Sequence, residues 1–169
     1  EMRSTGEVLG MASSFGLAFY KAQEAAKSTL PTKGTVLLTV CERERKPVVA
    51  EVARQFVALG FRIVATSGTL KYLQKAKVPA ELIGKMGEDR PDIVDEIKNG
   101  RIQLVINTPI GRQGTTDDSY IRKSAIKYRV PYITTVAAAK AAVQGIAAYI
   151  ENAEGTGVRS LQGYHAAIK

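Results

Sequence analysis

From Gly34 onward the chain alternates short runs rich in β-branched residues with segments of helical period, and this alternation limits the choice of fold most. Residues 35–40 (TVLLTV) read as a buried strand. The segment 45–59 has a helical period, with Val48, Val49, Val52, Phe56 and Val57 on one face. Gly60 is placed to end that helix. Residues 62–66 (RIVAT) form a second strand, 69–77 a short helix, and 80–83 (AELI) a short third strand. Pro91 is expected to open a further helix, because its missing N–H costs nothing at a first helical position. That helix turns Ile93, Val94 and Ile97 inward and ends at Asn99-Gly100. Residues 103–108 (QLVINT) are a fourth strand. Asp117 and Asp118 suit the cap of a helix over 119–128. A fifth strand follows at 132–135, then a long last helix over 136–150.

Hairpin turn signals are missing between these strands, so the expected fold is α/β. It is a three-layer, Rossmann-like arrangement: a five-stranded, mainly parallel sheet with helices on both faces. Such sheets bind ligands beyond the carboxyl ends of their strands.

Residues 1–33 stand outside the alternation. Phe15, Ala18, Phe19, Ala22, Ala25 and Ala26 mark an amphipathic helix capped by Ser13 or Ser14, and a linker at 28–34 follows it. The expected division is therefore 1–33 as the tail of something upstream with a linker helix, and 34–169 as the domain.

The 169 residues and 45% hydrophobic content suit one core-forming domain rather than a disordered chain. The single cysteine, Cys41, excludes an internal disulfide and fits a reducing compartment, so a cytoplasmic location is expected. Glu1, Arg3 and Glu7 interrupt any apolar leader. The stretch 136–150 is too short and, with Lys140 and Gln144, too polar to span a bilayer. No membrane partner is expected. The net charge of +8 favours anionic ligands. Nucleic acid is disfavoured among them, since no dense Lys/Arg run with interleaved aromatics occurs.

Polar residues collect at the strand ends: Thr39 and then Arg43, Arg45 and Lys46; Thr66-Ser67-Gly68-Thr69; Asn107-Thr108 with Gly111-Arg112; and Lys85 after the third strand. The 66–69 segment stands at a helix start, where free N–H groups and a partial positive charge favour an anion. Taken alone it is an ordinary Ser/Thr cap; with the other strand ends it becomes a phosphate cradle without a P-loop lysine. Catalytic groupings are poor. His165 has no orienting partner in its sequence neighbourhood, Cys41 has no second Cys or His beside it, and Asp89, next to Lys85, is the one carboxylate to consider. No catalytic or metal-ligating residue and no cofactor is expected within this chain.

The segments EMRSTGEVLG at 1–10, ATSGT at 65–69, GKMGEDRPDI at 84–93, IKNGRIQLVINTPIGR at 97–112 and IRKSAIKYRVPYITT at 121–135 resemble the carbamoyl-phosphate synthase large subunits. The first is similar to the close of their second ATP-grasp half, and the rest to their C-terminal allosteric domain, of methylglyoxal synthase-like fold. The resemblance implies a regulatory part of a glutamine-hydrolysing ligase that serves pyrimidine and arginine synthesis. The parent enzyme uses ATP with Mg or Mn at sites upstream of this chain, and its partners are the synthetase domains and a glutaminase small subunit. It also implies a nucleotide effector of UMP or IMP type on Thr39, Arg45, Thr66, Thr69, Lys85, Asn107, Thr108 and Arg112, and ornithine at Tyr132 and Thr134. Two residues depart from the pattern: Pro109 replaces a threonine, and Arg45 a lysine whose ammonium its planar fork does not reproduce. The alternative is a stand-alone methylglyoxal synthase acting on dihydroxyacetone phosphate. That family shares the fold, and Asp89 falls at its catalytic aspartate, but Asn107-Thr108-Pro109 lacks its Trp-Asp-Pro and downstream histidine.

Overall fold

The computed structural model describes residues 6–85, 90–109, 116–151 and 160–166, with the side chains of 116 and 117 outside the description. Five strands, β1 (Thr35–Val40), β2 (Arg62–Ala65), β3 (Glu81–Leu82), β4 (Leu104–Thr108) and β5 (Tyr132–Ile133), form one parallel sheet in the order β3-β2-β1-β4-β5. The order reverses between β1 and β4, which opens a crevice beyond their carboxyl ends. In register, Thr39 lies beside Asn107 and Val40 beside Thr108.

Alternating side chains along each strand feed two cores. Val36, Leu38, Val40, Leu104 and Ile106 face one side, under α2 (Pro47–Ala58), α3 (Ser67–Lys75) and α6 (Val136–Glu151). Leu37, Val64 and Val105 face the other, under α4 (Ile93–Lys98) and α5 (Thr116–Lys127). With both faces covered, the strands read as continuous apolar runs rather than alternating ones.

Several boundaries differ from the sequence expectation. Helix α3 starts at Ser67, with Thr66 at the cap position, because β2 already ends at Ala65. Pro91 stays outside α4: Asp92 caps that helix, its carboxylate accepting from the N–H groups of Val94 and Asp95 at 2.9 Å each. Helix α5 starts at Thr116, so Asp117 and Asp118 lie in its first turn instead of capping it. A 3-10 turn (Glu42–Glu44) precedes α2, and a short helix, α7 (Leu161–His165), follows the expected last one. His165 is exposed on it.

The N-terminal helix α1 (Phe15–Ala25) is capped by Ser14. Its buried residues are Leu17 and Tyr20, whereas Phe15 of the expected stripe is 69% exposed. The reason is the glycine pair between α1 and α6. A Cβ on Gly16 would stand 2.8 Å from the carbonyl oxygen of Gln144, and one on Gly145 2.9 Å from that of Gly16. The helices touch backbone to backbone there, and this contact decides which face turns inward. Tyr20 then stacks on Tyr149 with ring centroids 4.1 Å apart and donates its hydroxyl hydrogen to the Leu30 carbonyl at 3.1 Å.

Candidate functional site

At the carboxyl end of β1 the chain turns sharply through the 3-10 segment and returns Arg45 to the sheet edge. The Arg45 Nε donates to the Val40 carbonyl at 3.2 Å, which anchors the guanidinium. A Cβ on Gly68 would stand 2.5 Å from Arg45 Nη2 and 3.1 Å from its Cζ. Gly68 is thus the seat on which the guanidinium rests at the second position of α3. This places a full positive charge beside the positive end of a helix dipole, an arrangement that an anion bound alongside both would neutralise. Among the described residues no carboxylate forms an ion pair with Arg45.

The threonines around this point have distinct tasks. Thr66 makes no side-chain cap bond to its own helix; its hydroxyl lies 3.1 Å from that of Thr39, across from β1. Thr69 is fully buried. Its hydroxyl accepts from the Val40 N–H at 2.9 Å and donates to the Val40 carbonyl at 3.3 Å, tying α3 to the end of β1. Thr108 accepts from the Cys41 N–H at 3.0 Å and ties β4 to the same turn. Cys41 is a buried thiol in that turn. Thr39, Thr66, Arg45 and the first turn of α3 therefore form the cradle, while Thr69 and Thr108 fix the turn that carries Arg45.

Asn107 is buried at the end of β4, on the same sheet face as Thr39. Its amide donates to Asp118 Oδ1 at 3.1 Å and to the Tyr132 hydroxyl at 2.9 Å. Burial raises the Tyr132 phenol above its ordinary value, so it is neutral at physiological pH. Tyr132 and Thr134 line a groove of about 400 Å³ together with Lys27, Ser28, Arg122 and Arg129. Pro109, Thr108, Thr134 and Thr135 border another cleft of about 330 Å³ beside Arg43.

The structure thus brings Thr39, Arg45, Thr66, Thr69, Asn107 and Thr108 together around the ends of β1, β2 and β4. Tyr132 joins them through Asn107. Lys85 stands exposed after β3, next to Gly84, and Gly84 shares a cleft of about 400 Å³ with Ser67 at the start of α3. Arg112, Asp89 and the opening residues 1–5 of the EMRSTGE segment lie outside the described residues. Sequence reasoning missed Asp118 as a partner of Asn107, since both acidic residues there were assigned to a helix cap. It also missed Gly68 as a seat for Arg45; the glycine itself was the available signal. Among the described residues no group of three or more His, Cys, Asp or Glu side chains is placed to hold a metal ion. No described helix is long and apolar enough to cross a membrane.

Comparison with known proteins adds three findings. The family model of the MGS-like domain matches residues 48–134, which contain Thr66, the first turn of α3 and β4, while Thr39 and Arg45 lie before the matched span. The chain is 52% identical over 148 residues to the carbamoyl phosphate synthase large chain of Acidobacterium capsulatum, covering 88% of this chain and 13% of that protein. It is 47% identical to the C-terminal section of the large chain from Aquifex aeolicus, covering 96% of this chain and 30% of that one. The chain thus spans under a third of the length of these curated relatives. Methylglyoxal synthase from Elizabethkingia anophelis superposes with a TM-score of 0.54 at 17% identity, over 68% of this chain and 79% of that one. That likeness shows the fold alone, and the five-stranded parallel sheet agrees with it. By the family match and by its large-chain relatives, the chain belongs to the MGS-like domain family, in the form carried by carbamoyl phosphate synthase large chains.

Proposed function

We propose that this chain is the regulatory region of a glutamine-hydrolysing carbamoyl-phosphate synthase, and that it binds a nucleotide monophosphate of UMP or IMP type at the carboxyl ends of β1, β2 and β4. The observation that carries the reading is the seating of the Arg45 guanidinium on Gly68 at the start of α3. Two positive fields meet there, and a phosphate satisfies both. Thr39 and Thr66 supply hydroxyls beside it. Lys85, which follows β3, and Arg112 add charge, and Asn107 or Thr108 serves the sugar or base. Pro109 removes a hydroxyl from the rim, so base preference follows shape more than hydrogen bonding. Ornithine is proposed for the groove at Tyr132 and Thr134.

On this reading residues 1–33 are the end of an upstream ATP-grasp half with its linker helix, and 34–169 are the effector domain. The ligase chemistry, with ATP and Mg or Mn, belongs to the upstream synthetase domains and the glutaminase small subunit of a cytoplasmic enzyme for pyrimidine and arginine synthesis. The chain by itself is non-catalytic. Titration calorimetry with UMP, IMP and ornithine tests the assignment. Arg45→Ala loses a charged contact of roughly 1.5–3 kcal/mol, so nucleotide affinity falls roughly ten- to a hundredfold. Nucleotide affinity that is equal in the wild type and in an Arg45→Ala, Thr66→Val double variant would place the site elsewhere.

A further inference from the structure

Both amide hydrogens of Asn107 are already in use, one on Asp118 Oδ1 at 3.1 Å and one on the Tyr132 hydroxyl at 2.9 Å. The residue is 1% exposed, so water does not compete for them. Asn107 faces the crevice beside Thr39, whereas Tyr132 lines the basic groove with Lys27, Arg122 and Arg129. One side chain therefore stands beside the cradle in register and is bonded to a residue that lines the groove. It also fixes the first turn of α5 through Asp118. An acceptor atom entering from the cradle can take an amide hydrogen of Asn107 only by drawing it from Tyr132 or from Asp118.

We infer that Asn107 is a shared positioning residue, whose amide either holds Tyr132 and the start of α5 or is drawn toward a ligand in the cradle, so that the cradle and the groove at Tyr132 are filled in competition. This rests on the nucleotide reading above but adds a link that reading does not require. The link has a counter-intuitive consequence. Removing the Tyr132 hydroxyl leaves one Asn107 hydrogen without a partner in the empty protein. A ligand acceptor in the cradle then gains it without displacing anything. Tyr132→Phe, which takes away a polar group, should thus tighten nucleotide binding.

The test is a double-mutant cycle on UMP affinity, measured by calorimetry with wild type, Tyr132→Phe, Asn107→Ala and the double variant. One neutral hydrogen bond sets the scale, so Tyr132→Phe should tighten UMP binding roughly three- to tenfold. The gain should vanish in the Asn107→Ala background. Asn107→Ser serves as a second background should the alanine variant lower the thermal midpoint, which is recorded for every protein. A merely structural role for Tyr132 predicts the opposite sign: destabilisation with weaker or equal binding. Unchanged or weakened UMP affinity in Tyr132→Phe overturns the shared role, as does a gain that survives in both Asn107 backgrounds. Failure of the wild type to bind UMP, IMP or inorganic phosphate overturns the nucleotide reading itself and this inference with it.

Discussion

Gly68 and Thr69 are neighbours in sequence, yet they answer different physical demands. At Gly68 the space for a Cβ is filled by the far end of a flexible arginine. Gly68→Ala should therefore displace Arg45 at little cost and gain helix propensity, up to about 1 kcal/mol relative to glycine. Urea denaturation should show equal or higher stability, while calorimetry should show weaker nucleotide binding. Thr69→Val has the reverse signature. It strips a buried hydroxyl from both backbone groups of Val40 and leaves them without that partner. A stability loss of about 1–3 kcal/mol is expected, with any affinity change following from the loosened turn. Equal effects of the two variants on stability would refute this division. The division also shows what the sequence could and could not reveal here. The threonines, the glycine and Arg45 were legible as a group, because polar residues at parallel strand ends are conspicuous. Their separate tasks were not. Whether a buried hydroxyl meets a ligand or a backbone carbonyl depends on a fraction of a turn in where α3 begins. The same holds for Asn107 and Tyr132, which lie in different strands and meet only through the pairing of β4 with β5.

Among the elements, the strands and the helices over the sheet were legible because both sheet faces are buried, and a fully buried strand is an unbroken apolar run. The helix ends were only partly so. Helices α1 to α5 all close with a residue of positive φ: Lys27, Gly60, Lys77, Gly100 and Arg129. In each case the next N–H reaches back to a carbonyl five residues earlier, as from Phe61 to Phe56 and from Val130 to Ala125. The two glycines announced themselves, but the three basic residues did not. Lysine or arginine in this conformation costs about 1 kcal/mol against glycine, offset in part by its charge at the negative end of the helix. The packing of α1 was not legible either. An apolar stripe of Phe15, Phe19 and alanines suggests one buried face; Phe19 does pack on the core, but the Gly16–Gly145 contact turns Leu17 and Tyr20 fully inward and leaves Phe15 exposed. Gly16→Ala should accordingly destabilise the protein by about 1–3 kcal/mol, since the obstacle is the Gln144 backbone and not a movable side chain. Chemical denaturation measures it, and a neutral result would mean that the helices part without cost.

For the whole molecule, the sheet edge at the ends of β1, β2 and β4 gathers hydroxyl donors and the positive charge of Arg45. On the proposed function this edge binds an effector, and binding alters chemistry elsewhere only if it differs between two arrangements of the larger protein. The chain spans 13% of one large-chain relative and 30% of a C-terminal section; on the proposed function the second half of that coupling belongs to the rest of the large chain. Phe15, Leu9 and Leu161 remain exposed on the side of α1 and α7. The parent enzyme should therefore keep carbamoyl phosphate synthesis when residues 34–169 are deleted, provided the remaining part folds, and lose its response to UMP. Coupling of this type is about 1–3 kcal/mol, or a roughly five- to hundredfold change in apparent affinity. The isolated chain should show the complementary half: nucleotide binding by calorimetry, with neither carbamoyl phosphate nor methylglyoxal formed from the respective substrates. Assays of ATP turnover against UMP concentration in the intact and deleted enzymes separate the outcomes. A deleted enzyme that is still inhibited by UMP at an unchanged midpoint would remove regulation from this domain, whatever the isolated chain binds.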